Sequence, residues 1–229
     1  MGTYLLAAGL LIAAYLLGSI PWGLVIVWLI KGQDVRKVES GRTGGTNVGR
    51  AAGIWAGIIT AFLDAAKGTV AVWLAIWLLP QGYLVHALAG VLAVVGHNYS
   101  IFLAERVDGQ IRLRGGAGGA TTVGSAFGLW WPSLLVIIPA SAFVFYFVGY
   151  ASLATLMAGI SSIIIFSVMA LLGIGPWQYI VFGVLVEFVL LWALRPNLQR
   201  LVKGNERVVG LRARKTKSNS KNNKPAAQN

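Results

Sequence analysis

Cysteine is absent from the chain, and only seven of its 229 residues are acidic. The first absence removes disulfides, thiolate nucleophiles and thiolate metal ligands. The shortage of charge reaches further. Asp, Glu, Lys and Arg make up 11% of the residues, against roughly 25% in an average soluble domain. So few charges cannot cover a water-facing surface. The two histidines lie apart from the scattered acids and form no zinc or two-metal ligand set. No metal and no cofactor are therefore expected. Neither a Walker loop nor a serine nucleophile elbow occurs. What is abundant is apolar: 57% of the residues are hydrophobic, and the mean hydropathy is +0.73. An all-α integral membrane protein is expected, because open sheet edges cannot face lipid.

The net charge of +12 would suit a nucleic-acid binder, but its distribution argues against that partner. All but Lys67 of the 19 basic residues fall in 31–50, 106–114 and 195–224. Between them lie uncharged runs of membrane length. The first span is expected from Tyr4 to Ile30, bent at "GSIPWG" (18–23) and lacking the basic start of a signal peptide. The second runs from about Ala51 to Leu79 and the third from Tyr83 to Leu103. Residues 120–194 fit four short helices broken near "WWPS", "GYAS" and "LGIGP". By the positive-inside rule the three basic stretches share the cytoplasmic side. The expectation is about seven transmembrane helices, N-terminus outside and C-terminus cytoplasmic. Residues 1–210 would form one polytopic domain, and 211–229 a basic, disordered tail in reach of anionic membrane lipids.

Two glycine-rich stretches stand on that side, "ESGRTGGTN" (39–47) and "RGGAGGATT" (114–122). Glycine lets backbone N–H groups turn toward an anion, and arginine clamps phosphate in a plane. The first stretch reads either as a phosphate cradle or as a topogenic loop, and the second, which leads into a helix, as a second anion cradle. Thr46 and Asn47 have the chemistry to bond an oxygen-rich ligand or the loop itself. His97 reads as an acid/base or phosphate group, or as a packing histidine. His86 reads as an interfacial residue. Asp64 and Lys67, three apart on one helical face, suit an ion pair near the membrane surface. Glu187, inside the last span, needs a partner, for which a loop arginine is expected. Arg195, Arg200, Lys203 and Arg207 either ring an acidic headgroup or anchor the topology. Ser19 either lines a pocket at the bend or packs helices.

Taken in order, these segments resemble the bacterial acyl-phosphate:glycerol-3-phosphate acyltransferase family of small integral-membrane enzymes. The resemblance rests on "GSIPWG" (18–23), "DVR" (34–36) with "ESGRTGGTN", "GH" (96–97) with "GGAGGAT" (115–121), and Asn197, Arg200 and "KGNE" (203–206). It implies transfer of a fatty acyl group from acyl phosphate to the 1-hydroxyl of glycerol 3-phosphate, giving lysophosphatidate and phosphate for phospholipid synthesis. It also implies the bacterial inner membrane, a site facing the cytoplasm and no cofactor.

The resemblance gives His97, Ser40, Asn47 and Glu206 to the chemistry. Ser19, Arg36, Arg42, Gly44 and Thr46 would bind substrate, as would Gly115, Gly116, Gly118 and Thr121. Asn197, Arg200 and Lys203 would complete the pocket. Some positions depart from the family pattern. Ala117 stands where the family has lysine, Arg42 where it has asparagine and Glu39 where it has glycine, and 104–114 is long. Arg42, Arg112 or Arg114 would have to supply the missing charge. The competing readings are a relative that acts on another phosphorylated acceptor or is inactive, and a membrane transporter.

Overall fold

The computed structural model describes residues 1–213; of the tail expected to be disordered, 211–229, residues 214–229 lie outside the described residues, whereas 211–213 continue a helical turn that begins at Gly210. The helices among them are α1 (Gly2–Ser19), α2 (Trp22–Lys31), α3 (Gly45–Ala52), α4 (Ile54–Leu78), α5 (Tyr83–Asn98), α6 (Gly119–Leu129), α7 (Leu134–Phe143), α8 (Ala151–Leu171) and α9 (Tyr179–Val202). A hairpin of β1 (Ser100–Val107) and β2 (Gln110–Arg114) interrupts the series.

Among the described residues, five segments are long and apolar enough to cross a bilayer: Gly2–Lys31, Ile54–Leu78, Trp131–Val148, Ala151–Leu171 and Tyr179–Val202. The first breaks at Ile20 and Pro21, between α1 and α2, because proline has no N–H to continue the ladder. The breaks expected after α6, before α8 and before α9 all occur, at Trp130, at Gly149–Tyr150 and from Leu172 to Gln178. Val209 N–H donates to Gly149 O at 2.9 Å, and Val208 bridges Tyr150. These bonds tie the end of α9 to the turn before α8, so both lie on one face.

The third span is shorter than expected. α5 stops at Asn98 after 16 residues, about 24 Å of helix, and after Tyr99 the stretch "SIFLAERV" continues as a strand. The fold is thus mainly helical rather than all-α. β1 and β2 pair antiparallel, with Glu105 opposite Arg112 and Val107 opposite Gln110. At the tip Asp108 and Gly109 have φ of 53° and 78°. This Asp-Gly pair suits a tight hairpin turn, which requires positive φ at both central residues.

The core is built from α4, α5, α6, α8 and α9 around Phe166 and Phe182, whose rings meet edge to face at 5.9 Å. α6 lies directly on α4. A Cβ at Gly124 would fall on the Ala65 carbonyl, and one at Gly68 would come within 2.6 Å of Thr121 O. Small residues let helix backbones approach in a membrane, where dispersion rather than water exclusion drives association. His86, expected at the interface, is buried instead. Its Nε2 lies 2.7 Å from Leu79 O and its Nδ1 lies 3.2 Å from the Tyr179 hydroxyl.

Candidate active site

The loop between α2 and α3 is organised by Asn47, at the start of α3. Its side-chain amide donates to Val35 O at 3.3 Å, Val38 O at 3.0 Å and Arg42 O at 2.9 Å. Its Oδ1 accepts from Ser40 N–H at 3.3 Å. Of the two partners the residue type allows, Asn47 thus takes the loop. Ser40 and Thr46 are exposed beside it. Glu39, with φ 51°, pairs with Arg207 beyond α9.

Arg36 lies to one side. Its guanidinium meets Asp34 at 2.7 Å and Glu105 of β1 at 2.6 Å. The hydrogen bond with Asp34 holds the Asp34 carboxyl below its ordinary pKa and the guanidinium above its own. Arg36 therefore clasps the hairpin to the first loop. Arg114 lies 3.7 Å from Glu105, and Arg112 lies 3.7 Å from Asp108.

Arg42 occupies the centre. Its guanidinium donates to Gly116 O at 3.3 Å, Ala193 O at 2.7 Å and Asn197 Oδ1 at 3.1 Å. One side chain thus joins the first glycine loop, the second glycine loop and α9. All three partners are neutral oxygens. Burial, with Arg200 nearby, holds its pKa below the usual value, but a guanidinium keeps its charge in a protein. Asn197 passes the contact on, donating to Glu206 Oε1 at 3.1 Å, while Glu206 Oε2 is buried without a partner among the described residues. Gly44 packs against the same loop, since a Cβ there would lie 3.9 Å from Ala117 N. Thr43, which the sequence did not single out, links the loops through its N–H to Gly115 O at 3.4 Å.

The second glycine loop closes on His97. Gly116 N–H donates to His97 O at 2.9 Å. A Cβ at Gly116 would fall on His97 Nε2, so only glycine leaves that ring edge uncovered. Gly118, with φ 92°, turns the chain into α6, and Thr121 in its first turn has a buried hydroxyl without a partner among the described residues.

Asp64 and Lys67 form the expected pair, at 2.9 Å. It is not a surface pair. It is buried and meets His97, whose Nδ1 lies 2.9 Å from Lys67 Nζ and 3.4 Å from Asp64 Oδ1. Spacing exposes an i,i+3 pair, but only the contact of α4 with α5 brings in a histidine 30 positions away.

Other residues stand apart. Ser19 Oγ donates to Tyr15 O at 2.8 Å within its own helix, and its carbonyl accepts from Ser100 Oγ at 2.6 Å. Lys203 is exposed at the end of α9. Glu187 does not meet a loop arginine. It sits against Gly159, with Oε2 buried and unpartnered among the described residues. α9 runs on to Val202, so Glu187 lies about four turns from the helix end.

The family model described as glycerol-3-phosphate acyltransferase matches residues 8–204. The glycerol-3-phosphate acyltransferase of Myxococcus xanthus is 34% identical over 210 residues, covering 88% of this chain and 99% of that protein. One from Thermus thermophilus is 37% identical over 203 residues, covering 89% and 95%. Two crystal structures of PlsY (YgiH), an integral membrane glycerol 3-phosphate acyltransferase, share the fold. The glycerol 3-phosphate form aligns with a TM-score of 0.75 at 34% identity, covering 89% of this chain and 96% of that one. The lysophosphatidic acid form aligns at 0.73 and 32%, covering 89% and 95%. The chain belongs to the glycerol-3-phosphate acyltransferase family.

Proposed function

We propose that this protein transfers a fatty acyl group from acyl phosphate to the 1-hydroxyl of glycerol 3-phosphate, releasing phosphate and lysophosphatidate. The observation that carries the reading is Arg42, a half-buried cation whose hydrogen bonds go to neutral oxygens where both glycine loops meet α9. Such a group suits a phosphate ligand. The glycerol 3-phosphate and lysophosphatidic acid forms of PlsY support the acceptor and the product.

The chemistry asks little of the protein beyond position and charge. An acyl phosphate is a mixed anhydride, already activated. The glycerol oxygen attacks the carbonyl carbon, the bond to the phosphate oxygen breaks, and phosphate leaves with the electron pair. The hydroxyl proton goes to a phosphate oxygen. Fixing the two substrates together accounts for much of the rate, and cations that meet the developing charge account for the rest. Arg42 and Asn197 would hold phosphate, with Arg200, Gly44, Gly115, Gly118 and Thr121 around it and Lys203 outside it at the exposed end of α9. Ser40 and Thr46 would meet the acceptor, with Arg36 and Ser19 supporting the rim. Asn47 would shape the first loop, and Glu206 would orient Asn197.

The same reading sets the topology. α1 with α2, then α4 to α9, give seven passes, the N-terminus outside and the three basic stretches in the cytoplasm of a bacterial inner membrane. α5 and α6 are short for about 30 Å of hydrocarbon, so the site between them is sunk below the basic face. An acyl chain reaches it from lipid and a soluble phosphate from water. Residues 1–210 act as one catalytic domain, with the chain from 211 attached to it. The test is purified protein given acyl phosphate and labelled glycerol 3-phosphate. Labelled lysophosphatidate with stoichiometric phosphate is expected; no product, or product only with another phosphorylated acceptor, overturns the reading.

A further inference from the structure

Lys67 Nζ lies 2.9 Å from each of three groups: Ile20 O, Asp64 Oδ1 and His97 Nδ1. The Ile20 carbonyl is available because the helix breaks at Pro21, so "GSIPWG" takes part in this contact. Buried together, Asp64 and Lys67 keep their opposite charges, since neutralising either would leave a lone buried charge. An ammonium has three protons to donate and no lone pair to offer. The atoms it faces must therefore be bare of protons: Asp64 Oδ1 in an ion pair, and the Ile20 carbonyl and His97 Nδ1 as acceptors. A neutral imidazole that accepts at Nδ1 carries its proton on Nε2. That nitrogen is the ring edge against Gly116 Cα, beside the loop whose carbonyl holds Arg42.

We infer that the Asp64–Lys67 pair, steadied by the Ile20 carbonyl, fixes neutral His97 with its proton on Nε2, so that His97 donates a hydrogen bond into the glycine loop and takes no proton from the acceptor hydroxyl. Asp64 and Lys67 are positioning residues that act through His97. The inference rests on the acyl-transfer reading for the ligand it addresses, a phosphate or carbonyl oxygen of the substrates. The donated bond stabilises charge on that oxygen as the carbonyl–phosphate bond breaks. His97 keeps its proton throughout, which leaves a phosphate oxygen as the proton's destination.

The experiment is nitrogen NMR on protein carrying ¹⁵N-histidine in lipid nanodiscs without substrate. The chain has two histidines, and a His97→Gln spectrum assigns the signals. Wild type is expected to show a protonated Nε2 and a bare Nδ1 at His97. In Lys67→Met the proton should move to Nδ1, where Asp64 accepts it, and acyl transfer should fall at least about tenfold. Asp64→Asn/Lys67→Met avoids the lone buried charge and should show the same proton shift and the same loss if the single variant does not fold. A wild-type His97 protonated on Nδ1, or on both nitrogens, overturns the inference. So does a folded variant whose proton has moved but whose rate is that of wild type. No transfer by the wild type, with the proton on Nε2, overturns the acyl-transfer reading instead and supports the tautomer.

Discussion

Arg42 and Ala117 raise the question of where the candidate site draws its positive charge. In the family pattern that the chain resembles, a lysine stands at the position of Ala117. Here Arg42 hydrogen-bonds the carbonyl of Gly116, one residue away. Arg112 and Arg114, the other candidates, face Asp108 and Glu105 on the hairpin. If Arg42 supplies the missing charge, Arg42→Ala should raise the apparent KM for glycerol 3-phosphate or lower kcat, by about 1.5–3 kcal/mol in transition-state terms. Adding Ala117→Lys should restore part of the loss, and the double-mutant cycle should be non-additive. Additive effects would separate the two positions. The residue types of this site were legible in the sequence; their pairings were not. Asn47 could equally bond ligand or loop, and only the turn around it shows that the loop takes its amide. Similarly, Arg36 bonds Glu105 across 69 positions, a distance that spacing does not reveal.

At the scale of elements, breaks were legible and partners were not. Proline and glycine mark the ends of α1, α6 and α8, because each either removes a backbone donor or admits a positive φ. The hairpin escaped because Ile101, Phe102 and Leu103 extend the apolar run of α5 and read as more of the same span. The signal lay in Asp108 and Gly109, a two-residue turn with one strand on either side. Contacts between helices were equally hidden, although they rest on single glycines. Gly124→Val would force α6 away from the α4 backbone at Ala65. It should lower stability by at least about 2 kcal/mol, as overpacking does, seen as a lower thermal midpoint in detergent. Gly9→Ala, where an added Cβ meets nothing within 4 Å, should leave that midpoint unchanged or raise it slightly. Equal losses at both positions would contradict the packing argument.

The whole molecule is arranged inside out relative to a soluble enzyme. Trp55 and Trp77 stand 73% and 76% exposed at the two ends of α4, where amphipathic rings meet headgroups. Asp64, Lys67 and His97 are buried between the helices, where ionisable groups find partners. Hydrogen bonds from Thr43 to Gly115, from Arg42 to Asn197 and from Val209 to Gly149 gather the loop 31–50, the second glycine loop and the described residues after Asn197 on one face. The central claim is that this face carries one acyl-transfer site open to the cytoplasm. Sealed inner-membrane vesicles of known orientation test it most directly, with glycerol 3-phosphate added outside and acyl phosphate supplied in the lipid. Inverted vesicles, cytoplasmic face out, should form lysophosphatidate at once, and right-side-out vesicles only after permeabilisation. Equal rates in both orientations, or transfer confined to right-side-out vesicles, would contradict the account.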